Sequence, residues 1–152
     1  MASQRELIAF GIQMSIDEHP VLFLALADDG LVNRGGSGRL HPAERDVCVA
    51  KTDGTPFQTV RPLFDQAWLD LPRLQLLPGQ EGPEHRLRLT FFCGDGRKLE
   101  KAEIGYQYRM ETQLPVAIHA FVQGALDATQ SWYDEFREMV AKLDAEQGRK
   151  SP

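Results

Sequence analysis

Near the C-terminus, Ile118, Val122, Ala125, Thr129, Trp132, Phe136, Met139 and Leu143 follow one another at alternating spacings of four and three residues. An α-helix is the one regular structure that puts positions so spaced on a single face. Pro115 suits a first helical turn, where its missing N–H costs nothing, and Gly148 suits a stop. One helix over 115 to 146 would run ~48 Å at 1.5 Å per residue. A compact chain of 152 residues is only ~38 Å across, from a radius of gyration of ~15 Å. Such a helix must overhang, bend near Gly124, or pack on a second subunit. Phe121, Leu126, Tyr133 and Val140 broaden the stripe. The plain expectation is that this face covers a sheet. Along the later turns, Trp132, Tyr133, Phe136, Met139 and Val140 form a candidate protein–protein interface, with the aromatic residues as anchors.

The rest of the chain reads as strands. From Arg5 to Ile16, Phe10, Ile12, Met14 and Ile16 alternate with Gly11, Gln13 and Ser15, the pattern of a half-exposed strand. Asp17-Glu18-His19-Pro20 interrupts it, and Val21 to Ala27 is a short, well-buried strand. Asp-Gly occurs three times, at Asp29-Gly30, Asp53-Gly54 and Asp95-Gly96, and favours tight hairpin turns. The last two predict hairpins of Val47–Lys51 with Pro56–Val60 and of Arg86–Cys93 with Leu99–Met110. Pro62 to Leu71 predicts a short helix. Pro78 to Glu84 is the clearest loop, and halves divided there would be too small for good cores. The expectation is one α+β domain over 1–152. Its mostly antiparallel sheet has about six or seven strands built from hairpins, with a short middle helix and a long C-terminal amphipathic helix.

Composition narrows the function classes. Hydrophobic residues make up 42% and charged residues 26%, so wholesale disorder is excluded. A net charge of −5 argues against general nucleic-acid or anionic-membrane binding. The longest apolar run, Val21 to Ala27, is far short of the ~20 residues that span a bilayer. No basic leader precedes an apolar stretch, so a cytoplasmic setting is expected. Cys48 and Cys93 both fall in strand-like segments and read as buried thiols rather than a disulfide. Cys93, near Arg97 and Lys98, is the better placed for reactivity, though a structural thiol is the simpler reading. With no CxxC or HxxxH spacing, neither a metal nor a cofactor is expected.

The least ordinary stretch is Asn33-Arg34-Gly35-Gly36-Ser37-Gly38-Arg39 with His41 beyond it. Convergent backbone N–H groups and flanking arginines can hold a phosphate or carboxylate. Asn33, Arg34, Ser37, Arg39 and His41 are thus candidate ligand-binding residues for a small anionic ligand, in a binder or hydrolase that also draws on Asp28 and Asp29. The segment matches no P-loop or dinucleotide fingerprint, and a purely structural loop is the competing reading. Asp17-Glu18-His19 carries acid–base groups but reads as a solvated turn. His119, beside the helical stripe, reads as a flank residue. Arg86 and Arg88 share a strand face, and with Tyr106 and Tyr108 they sketch an RNA-contacting surface. An ordinary exposed sheet face is the simpler account. No complete catalytic constellation emerges. The leading expectation is a non-enzymatic protein–protein interaction module, such as an immunity protein, adaptor or chaperone, possible as a homodimer through its C-terminal helix. That outline is common among small bacterial interaction proteins, an analogy of shape only.

Overall fold

The computed structural model describes residues 6–38, 47–77, 81–94, 98–110 and 113–150. The strands are β1 (Glu6–Ile16), β2 (His19–Ala27), β3 (Leu31–Gly36), β4 (Val47–Lys51), β5 (Gln75–Leu76), β6 (His85–Gly94) and β7 (Leu99–Tyr108). The helices are α1 (Thr55–Val60) and α2 (Val116–Lys150). The strands form one sheet of seven in the order β4-β3-β2-β1-β6-β7-β5. Every pairing is antiparallel except the short parallel contact of β5 with β7. The fold is α+β, as the alternating and helical periods of the sequence imply.

Alternation decides which face each residue serves. Phe10 and Ile12 on β1, Leu22, Leu24 and Leu26 on β2, Leu87, Leu89 and Phe91 on β6, and Ile104, Tyr106 and Tyr108 on β7 are all buried. They meet Ile118, Phe121, Val122 and Ala125 of α2 in one core. Two irregularities adjust the pattern. Opposite Cys93 and Phe92, β1 carries Ile8 as an extra residue. Opposite Met14 and Ser15, β2 carries Val21 as an extra residue, and so both Val21 and Leu22 are buried. An aromatic cluster fills the middle of the core. Phe121 meets Phe10 at 4.8 Å, Trp68 at 5.4 Å and Phe91 at 5.8 Å between ring centroids. Each such ring stabilises by roughly 1.5–3 kcal/mol through burial, plus about 0.5–1.5 kcal/mol from edge-on ring contacts.

The turns differ from expectation in two places. Asp17 and Glu18 are not a simple break. Both take positive φ (47° and 69°) and make a tight hairpin between β1 and β2, the geometry of a primed turn. Asp17 also ties the turn to the residue that leads into β6, since its N–H donates to Glu84 O at 2.8 Å and its carboxylate accepts from Glu84 N at 2.9 Å.

The second difference is a correction. Val47–Lys51 is a strand, but its partner is β3, and Thr55–Val60 is helical rather than extended. Asp53-Gly54 starts a helix instead of closing a hairpin. Gly54 takes φ 90°, Pro56 sits in the first turn, and the Asp53 carboxylate accepts from Thr55 N at 2.9 Å. The expected helix over Pro62 to Leu71 resolves into two 3-10 turns, Arg61–Leu63 and Gln66–Asp70, with Phe64 and Asp65 extended between them.

Candidate functional site

Strand β3 extends through Gly36, so the first half of the glycine-rich segment is sheet, not loop. Alternation then sends Arg34 toward α2 and Asn33 and Gly35 to the other face. The Arg34 side chain is fully buried. Its Nε donates to Gly36 O at 3.2 Å. Nη1 donates to Thr129 Oγ1 at 2.9 Å and Leu126 O at 3.2 Å, and Nη2 to Gln130 Oε1 at 2.9 Å and Ser37 Oγ at 3.3 Å. The guanidinium lies 4.4 Å from the Tyr133 ring centroid, in cation–π range. Gly36 N donates to Tyr133 Oη at 2.9 Å. Arg34 thus fastens the end of β3 to the middle of α2, with five donors directed inward.

Glycine is required at 36 by geometry. Its φ is 82°, and a Cβ there would lie 2.2 Å from Val21 O. Of the residues singled out as ligand-binding, Arg34 and Ser37 are joined by a hydrogen bond, and Asn33 faces the opposite side of the sheet. Arg39 and His41 lie outside the described residues. Asp28 and Asp29 form the β2–β3 turn, where Asp29 Oδ1 accepts from Leu31 N at 3.0 Å.

Beside this fastening is a cleft of about 360 Å³ between Ser37-Gly38 and α2, bordered also by His119, Gln123, Asp127 and Gln130. The sequence does not point to His119 and Asp127 there, because a helix-to-strand juxtaposition across eighty to ninety residues leaves no local spacing to read. Several polar groups are already engaged. Ser37 Oγ accepts from Arg34, Asp127 Oδ1 accepts from Gln123 at 2.9 Å, and Gln130 bridges Arg34 and Asp134.

The candidate interface on α2 divides at Tyr133. Tyr133 itself is fully buried within the chain. Trp132 and Phe136 are half-buried and pack on each other at 5.4 Å, Val140 is half-buried, and Met139 and Leu143 are each 50% exposed. Beyond Tyr133 no residue of the helix through position 146 is buried. The helix of 35 residues runs ~52 Å, and its apolar stripe continues past the protein that covers it.

On the β6–β7 hairpin, Arg86 and Arg88 are exposed, whereas Tyr106 and Tyr108 are 1% exposed on the opposite face. The two guanidiniums and the two phenol rings therefore cannot act on one ligand. Burial pushes the Tyr106 phenol above its ordinary pKa, with Gln75 pulling the other way. The Asp53 carboxyl is held below its ordinary value by the Thr55 backbone N–H and hydroxyl. Cys48 and Cys93 are both buried, at 1% exposure each. Among the described residues no cluster of histidine, cysteine or carboxylate side chains could hold a metal, and no helix is long and apolar enough to cross a membrane. Compared with family models, curated proteins and solved structures, the chain matches none.

Proposed function

We propose that this chain is a non-enzymatic protein–protein interaction module whose first partner is a second copy of itself, joined through the outer half of α2. The observation that carries the reading is the stripe Trp132, Phe136, Met139 and Leu143, half-covered at its inner end and half-exposed at its outer end. Its four–three spacing assigns Trp132 and Met139 to one core position of a heptad and Phe136 and Leu143 to the other. Glu135 and Lys142 then occupy the flanking g positions. In an antiparallel pair, flanking g residues face one another, so Glu135 of each copy meets Lys142 of the other. A parallel pair sets Glu135 against Val140 and gains nothing. Charge therefore favours the antiparallel arrangement.

The seam is short, and association in the micromolar range is expected. Sedimentation velocity across a concentration series tests it. Reversing one charge, Glu135→Lys or Lys142→Glu, weakens self-association roughly five- to thirtyfold, since symmetry counts each pair twice. Combining the two reversals restores it. A strict monomer at every concentration overturns the proposal, and failure of the double variant to recover overturns the antiparallel pairing.

A further inference from the structure

The face of the sheet turned away from α2 holds a second concavity, independent of the helix seam. It has a volume of about 850 Å³, within the range of small-molecule sites. β1, β2, β6 and β7 form its floor, and the segment Arg73-Leu74, leading into β5, stands as a wall at the β7 side. That wall depends on Gly105. A Cβ at this position would lie 3.1 Å from Arg73 O and 3.7 Å from Leu74 Cδ1, so a side chain here would press the segment outward.

Three guanidiniums border this space: Arg73 from the wall, and Arg86 and Arg88 from alternate positions on β6. Their gathering opposes the charge of the molecule, which is −5. The carboxylates nearby only partly offset them. Glu84 pairs with Arg86 at 3.2 Å, and Glu103 is held by Lys101 at 3.2 Å. Among the described residues Arg73 and Arg88 form no ion pair. Three arginines against one lining carboxylate, Glu103, leave the trough with a positive excess that favours an anion. Half-buried Phe23 and exposed Leu74 (60%) supply apolar surface at the two sides of the same space.

We infer that this trough binds a small organic anion, its acidic group held between Arg73 and Arg88 and its apolar body laid against Phe23 and Leu74. An extended nucleic acid is disfavoured, because the wall closes the β7 side and the hairpin tyrosines lie on the other face.

Titration of the full chain with phenyl phosphate and with benzoate, followed by ¹⁵N-resolved NMR, tests the assignment. Saturable shifts are expected at the Arg73-Leu74, β6 and β7 amides with at least one of the two probes, and the stronger binder identifies the acidic group recognised. The variant Arg73→Gln/Arg88→Gln alters exposed side chains only. It should weaken binding by about tenfold or more, the loss of one good charge-assisted contact. Variants that break the helix seam leave the affinity unchanged, which separates this site from self-association. Equal shifts with neutral benzyl alcohol, or undiminished binding by the double variant, overturn the inference. So does a mixed-sequence RNA oligonucleotide that binds the same residues more tightly than either probe.

Discussion

At the scale of single residues, Arg34 shows how burial changes the meaning of a charge. In the sequence it stands at the head of a glycine-rich run and looks like a hand held out to an anion. Strand alternation turns it inward, where Leu126 O, Thr129, Gln130, Ser37 and Gly36 O receive its hydrogens. Lysine keeps the charge but offers three donors from a single point instead of a planar fork of five. Arg34→Lys is therefore expected to destabilise by about 2–4 kcal/mol, because hydrogen bonds to a buried charge are lost while its desolvation remains. Denaturant unfolding measures this, with the thermal midpoint falling by roughly 5–15 °C.

Asp53 gives a pH-dependent counterpart on the surface. Its folded pKa lies below the ordinary 3.8, so its stabilisation is present above that value and is lost as pH falls through the lower folded one. The stability gap between the wild type and Asp53→Ala should stay flat near neutrality and narrow only in that acid window. Equilibrium unfolding at a series of pH values would show it. Asp53 was legible as a turn residue, but Asp-Gly suits a hairpin and a helix start equally. Pro56, which favours a helical first turn, is the residue that separates the two.

At the scale of elements, the long helix was the most legible part of the chain and the segment after β4 the least. Eight positions of repeating apolar spacing leave little room for another structure. Residues 55 to 71, by contrast, form one short helix and two 3-10 turns, and pieces so brief carry no period to recognise. Their placement is set by contacts, notably Phe57, Val60 and Trp68 against the sheet and α2. Gly124 records that contact from the helix side. It does not divide α2, which continues through it. Its added Cβ would meet the tip of Leu63, Cδ1, at 2.5 Å. Leu63 is 42% exposed and has solvent to swing into. Alanine in a helix interior is favoured over glycine by about 0.8–1 kcal/mol. An altered rotamer at Leu63 takes back about 0.5–1 kcal/mol of that. Gly124→Ala should thus be neutral to stabilising by about 0.5 kcal/mol, read from its denaturation midpoint. A loss above about 1.5 kcal/mol would mean that Leu63 is more firmly held than its exposure implies.

At the scale of the whole molecule, two surfaces stand apart: the outer half of α2 and the trough on the open face of the sheet. The first was visible in sequence because the helical stripe runs on for more turns than a compact sheet can cover. The second was visible only as two arginines on one strand. Arg73 and Gly105 join them through a wall that returns from distant sequence, which no local spacing records. The separation makes the two surfaces independently removable. Ending the chain at Ala141 deletes Lys142 and Leu143 while leaving two helical turns after Tyr133 to keep the Arg34 fastening covered. Residues 142 to 146 are all exposed, so their burial contributes little. The shortened chain should keep its thermal midpoint to within about 2–3 °C, a change of under about 1 kcal/mol. Self-association should be lost, because the Trp132–Leu143 layer and the Glu135–Lys142 pairs disappear at both ends of the seam. Light scattering and thermal unfolding of the same sample separate the outcomes. A dimer that survives the truncation places the seam elsewhere, and a large fall in midpoint shows that the outer helix supports the fold itself.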